Sequence, residues 1–150
     1  MRAELLYVEG FDFININDYK SIIIPNQHGT VFIKGNIRKE SRQDYLEKVG
    51  KLVKVSAKTD ENTIKLMFFG IIKGCDVQSN GDVHELSLDI VSQSITMEKK
   101  EHFRTFQKTS TSYNEILELI VKEYDKGAFI NATKKQGMVN NFSCQYREND

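Results

Sequence analysis

Between Thr63 and Ser92 two apolar stretches flank Ser79-Asn80-Gly81-Asp82, and this arrangement constrains the fold more than any other feature of the chain. Asn-Gly supplies the positive φ values that tight hairpin turns require. After the turn, Leu86, Leu88 and Ile90 alternate with Glu85, Ser87 and Asp89, the period-two pattern of a strand with one wet face. Before it, Ile64, Leu66 and Phe68 fall on one side of an extended chain and Met67, Phe69 and Ile71 on the other. The segment Thr63–Lys73 therefore reads as a central strand covered on both faces, paired with Val83–Ser92 in a β-hairpin. Gly70 inside this run would cost stability unless a bulge or sharp bend requires it, so it is read as a bend.

The same alternation places Val31 and Ile33, then Val53, Val55 and Ala57, on single faces of further strands. Ser41–Lys48 fits a short helix with Tyr45, Leu46 and Val49 on one side and Gly50 as its terminator. A stronger helix begins at Ser112, where Glu115 three positions on completes a capping box. Tyr113, Ile116, Leu117, Ile120, Val121 and Tyr124 form its apolar stripe, which predicts docking, and Gly127 ends it. Ala128-Phe129-Ile130 and Phe142–Tyr146 are short strand candidates either side of a polar Asn131–Gly137 loop. The expected fold is mainly β with some α, a barrel-like body with one docked amphipathic helix and a short C-terminal α/β extension. A composition shift at Lys108–Ser112 puts the boundary between residues 1–107 and 108–150.

Charge and length exclude several functions. The chain has 150 residues, one ordinary domain, with 39% hydrophobic content. Lys+Arg and Asp+Glu are both 21, so no net field draws it to nucleic acid, whose binding usually takes a one-sided cluster of about 6–10 basic contacts. The apolar runs Ile22–Pro25 and Leu66–Ile72 fall far short of the ~20 residues that cross a bilayer. Met1-Arg2-Ala3-Glu4-Leu5 is unlike a secretory signal, so synthesis in the cytoplasm is expected. Cys75 and Cys144 lack partners at metal spacing, and His28, His84 and His102 are scattered, so neither a metal nor another cofactor is expected. There is no Gly-x-Gly-x-x-Gly or Gly-Lys-Ser/Thr phosphate loop.

One constellation could carry chemistry. Cys75, beside Gly74 and Asp76, with His84 nine residues on, would serve a cysteine hydrolase if the hairpin brought thiolate, base and orienting group together. The plainer reading makes Cys75 a small half-buried side chain at a strand end and His84 a strand-face residue. Phe68, Phe69, Phe103 and Phe106 sit in strand-like alternation and are expected in core packing rather than on nucleic-acid bases.

The order of several local patterns resembles the valine-glycine-repeat protein G (VgrG) and phage tail hub group. It begins at Gly29-Thr30-Val31-Phe32-Ile33-Lys34-Gly35 and continues through Phe68-Phe69-Gly70-Ile71-Ile72 and the Leu86–Ser94 strand. It then takes in Arg104-Thr105-Phe106-Gln107, the Ser112–Tyr124 helix and Gln145-Tyr146-Arg147-Glu148-Asn149-Asp150. The family usually carries Thr or Ser where Asn149 stands, and Asn also caps helices. The resemblance implies a structural baseplate hub component without catalytic, metal or cofactor residues. In such hubs two related barrels per subunit assemble as a homotrimer, present six similar units to a six-fold tail tube, and sit on a three-fold spike. Residues 1–107 would be the first barrel and 108–150 the start of the connecting segment, with the second barrel and any spike lying beyond Asp150. Tube, spike and baseplate proteins are the implied partners, in a phage tail, a prophage-encoded tail or a contractile injection machine. The alternatives are a free-standing β-barrel binding or adaptor module and the cysteine hydrolase built on Cys75.

Overall fold

A computed structural model describes residues 3–25, 27–39, 42–59, 63–108, 110–124, 137–139 and 143–148. The chain divides into two compact units between Gln93 and Ser94. The first holds strands β1 (Ala3–Val8), β2 (Phe13–Ile22), β3 (Thr30–Ile37), β4 (Leu52–Thr59), β5 (Ile64–Asn80) and β6 (Val83–Ser92), with a short helix α1 (Arg42–Leu46). They form one antiparallel sheet in the order β1-β4-β5-β6-β3-β2, which curls into a nearly closed barrel.

Its core comes from the alternation. Val31 and Ile33 of β3, Val53, Val55 and Ala57 of β4, and Leu86, Leu88 and Ile90 of β6 are all buried. Each is followed by a residue on the opposite face, so one-residue steps put apolar side chains inside and polar ones outside. The expected hairpin is present: β5 and β6 run in register from Gly70↔Ser92 to Asn80↔Val83, and Gly81 at the turn has φ +61°. The strand preceding that turn is longer than expected, a single run from Ile64 to Asn80.

Two expectations for this run are corrected. The ladder passes through Gly70 without a break, and its extra residues fall at Met67 and Lys73 instead. Gly70 is required because any Cβ there would strike the Val91 carbonyl oxygen and the Phe68 ring. The strand is central in the sheet, but its first half is not covered on both faces. The shift at Met67 pairs Leu66 with Ser56 and Ile64 with Lys58, on the outward face, while Phe68 and Ile72 remain inside.

In α1 only Tyr45 of the expected stripe is buried, whereas Leu46 and Val49 are exposed. The Tyr45 ring lies 4.9 Å from Phe11, its hydroxyl accepts the Asp12 N–H at 2.8 Å, and the Lys48 ammonium sits 4.8 Å from the centre of the Phe11 ring. Lys48 also donates to the Gly10 carbonyl. A single aromatic anchor thus seats a helix too short to need a stripe. Gly50, at φ +84°, ends the turn that follows.

The second unit holds a 3-10 turn that begins at Gln93 and runs to Lys99, then β7 (His102–Phe106), α2 (Tyr113–Val121) and β8 (Ser143–Glu148). Strand β7 pairs antiparallel with β8, which is why the chain divides before β7 rather than at the Lys108–Ser112 composition shift. The capping box forms as read: the Glu115 amide donates to Ser112 Oγ at 3.3 Å and the Ser112 amide donates to Glu115 Oε2 at 2.6 Å. The helix stops at Val121, short of Tyr124, and among its stripe residues only Ile116 is fully buried. Tyr113 and Leu117 are exposed, so docking through the whole stripe is corrected to docking through Ile116. The Tyr113 amide donates to the Gly137 carbonyl and the Val139 amide to the Thr111 carbonyl, which tie the helix start to the chain around Val139, itself buried. Gly127, the Ala128–Ile130 strand candidate and most of the Asn131–Gly137 loop lie outside the described residues.

Candidate assembly surface

The hairpin register separates the candidate catalytic residues. Cys75 lies opposite Leu88, whereas His84 lies opposite Ser79. Four residues of strand part the two positions, about 13 Å at roughly 3.3 Å per residue. His84 is buried, and its Nδ1 is 2.8 Å from Ser79 Oγ, which occupies it locally. Burial, with the Asp76 carboxylate beside it, pushes the Cys75 thiol above its ordinary range against the opposing pull of Lys48. A nucleophile needs the thiolate, so this environment disfavours reaction. Cys75 is half-buried within β5 rather than at a strand end. Among the described residues no three His, Cys, Asp or Glu side chains gather as metal ligands would, and no helix is long and apolar enough to cross a membrane.

Two of the motif segments come together in the second unit. Arg104 and Gln145 face each other in the β7–β8 ladder, and Arg104 Nη1 donates to Gln145 Oε1 at 2.7 Å. The same guanidinium forks onto Glu123, just past α2, from Nε to Oε1 at 3.1 Å and from Nη2 to Oε2 at 2.7 Å. His102 Nδ1 is 3.8 Å from that carboxylate, and its Nε2 is 3.2 Å from the Tyr124 hydroxyl. A bidentate guanidinium shared between a strand and a helix end fixes their relative geometry. The cluster thus pins the small sheet to α2. Phe103, expected in core packing, is instead exposed and stacks edge-on against Tyr146 with ring centres 5.3 Å apart. Phe68 packs in the barrel core as expected.

The surface that stands out lies outside the barrel. Leu5 and Tyr7 alternate with the inward residues Leu6 and Val8 along β1, an edge of the sheet. Across the ladders Tyr7 lines up with Ser56 and Leu66, and Leu5 with Lys58 and Ile64. Ile64 is 70% exposed, Leu66 59%, Leu5 54% and Met67 50%. A groove of about 570 Å³ runs beside them, lined by β1, the turn into β2, Lys54, Ser56 and Ile64. Single exposed apolar side chains are ordinary, but a contiguous set on one sheet face marks a place where another molecule binds. The alternation was visible in the sequence; the outward turn of Ile64 and Leu66 was not, because it depends on one extra residue at Met67.

These features define a nearly closed antiparallel barrel with an interaction face on its outside. No family model matches the chain, and no curated protein sequence matches it. Among solved structures, the chain is similar to the E. coli protein c3393, described as a component of the type VI secretion system with structural similarity to the T4 bacteriophage tail proteins gp27 and gp5. The TM-score is 0.64 at 13% identity, over 98% of this chain and 40% of that one. The fold is tail-hub-like, and the chain spans 40% of the length of the protein it matches.

Proposed function

We propose that this chain is a structural component of a phage tail or contractile injection machine, part of the hub that joins a six-fold tail tube to a three-fold spike. The observation that carries the reading is the tail-hub-like fold, shared over 98% of the chain with a type VI secretion component. The ordered motifs from Gly29 to Asp150 support membership of the VgrG-like hub group, and the pairing of Arg104 with Gln145 gives two of those motifs a common structural task. The separation of Cys75 from His84 supports a mechanical rather than a catalytic role. In this reading residues 1–107 supply the first barrel of a trimeric hub, and residues 108–150 begin the connecting segment. The protein is made in the cytoplasm and built into a particle, with tube and spike or baseplate proteins as partners.

The test is co-purification with the tail-tube and spike proteins encoded in the same gene neighbourhood. The wild-type chain should be retained in the assembled particle. Leu66→Glu, which puts a charge on the exposed face without touching the core, should leave the chain folded and abolish retention. A chain that never joins the tube or spike, yet binds some other protein through the same face, would be a free-standing adaptor and would overturn the hub reading.

A further inference from the structure

The outside of the barrel carries charge of opposite sign on opposite sides. Lys54 and Lys58 of β4 stand among the exposed apolar residues of β1 and β5, with Glu9 at the margin, its Oε2 3.7 Å from Lys54 Nζ. Across the sheet, β6 presents Glu85 and Asp89 outward, and Asp76 of β5 lies on the same face beside Ser87. Lys34 of β3 neutralises Glu85 at 2.7 Å, so Asp76 and Asp89 give this side its sign. Phe32, opposite Asp89 in the β3–β6 ladder, is partly exposed at its centre. In the strand order β1-β4-β5-β6-β3-β2, β4 and the β6–β3 pair fall on roughly opposite sides of the nearly closed sheet. The whole chain has zero formal net charge, so these two signs are a distribution and not an excess.

We propose that the apolar, lysine-bearing face of β1, β4 and β5 binds the carboxylate-bearing face of β6 and β3 on a second copy of this chain, head to tail. Apolar side chains meet around Phe32, and Lys54 and Lys58 meet Asp76 and Asp89 at the margin. Two copies joined through the same face would bring lysines against lysines, and like-charge juxtaposition costs several kcal/mol. Contact between two different faces is heterologous: each added copy leaves one face of each kind open, and growth stops only when a ring closes. This inference stands on the surface of one barrel and needs neither tube nor spike, so its failure would leave the hub reading to its own test.

Sedimentation equilibrium of the full chain from micromolar to near-millimolar concentration decides it. The expected result is reversible association that weakens with added salt, since marginal ion pairs are screened. Lys54→Glu with Lys58→Glu should weaken association about tenfold or more, a change of ~1.4 kcal/mol. Asp76→Lys with Asp89→Lys should do the same. An equimolar mixture of the two double variants should associate again, because the reversed face of each complements the reversed face of the other, a rescue that misfolded variants could not give. A wild-type chain that stays monomeric throughout, loss of association in one double variant only, or a mixture that fails to associate would each overturn the proposal.

Discussion

Cys75 shows how far residue chemistry depends on register. In the sequence it stands beside Asp76 and near His84; in the hairpin the two residues are four rungs apart, and the thiol is held in its protonated form by burial. At neutral pH its reaction with a thiol reagent should therefore be slower than that of the exposed Cys144. Cys75→Ser should leave the unfolding midpoint within experimental scatter. A Cys75 that labels faster than Cys144 would contradict the account. Arg104 is the opposite case, a side chain whose importance grows on folding. Largely buried and forked between Glu123 and Gln145, it should cost about 2–4 kcal/mol of stability in the second unit when replaced by Ala, since charged groups lose their partner. Urea unfolding followed in that unit checks it; a loss below about 0.5 kcal/mol would show that the cluster is incidental.

Among the elements, strands were legible wherever their alternation is unbroken. Val53, Val55, Ala57, Leu86, Leu88 and Ile90 name their buried face in the sequence because a period of two leaves no choice. The reading failed where a single extra residue inverts the parity, at Met67, and where pairing partners are distant, as in β7 with β8. Helix α2 was legible at its start, because a capping box is local, and not at its end or in its buried face, which depend on what packs there. Two measurements follow. Ile116→Ala should destabilise by about 2–5 kcal/mol and Leu117→Ala by less than about 1 kcal/mol, since only the first side chain is enclosed; equal losses would contradict the assigned face. The hydrogen bonds from Ser112 hold the Glu115 carboxyl below the ordinary Glu value of about 4.3. A lowered folded-state value means that the stabilisation is present above the ordinary value and is lost as pH falls through the lowered one. Thermal unfolding of the wild type should thus lose stability on acidification below about pH 4.3 more steeply than Glu115→Gln, and identical pH profiles would contradict it.

For the whole molecule, the barrel was foreseeable in kind but the face it presents was not. Leu5, Tyr7, Ile64 and Leu66 belong to three segments that are scattered along the chain and become neighbours only when β1, β4 and β5 pair. Their exposure in an otherwise ordinary barrel makes sense if the protein's task is to be held in a larger assembly. The most direct test of that claim is electron cryomicroscopy of tail or injection particles purified from cells that produce the protein with an affinity tag. The account predicts barrel density in a ring between the end of the tail tube and the spike, with the β1–β4–β5 face buried against a neighbour. Complete particles that lack the protein, or that carry it away from the tube–spike junction with that face open to solvent, would contradict it.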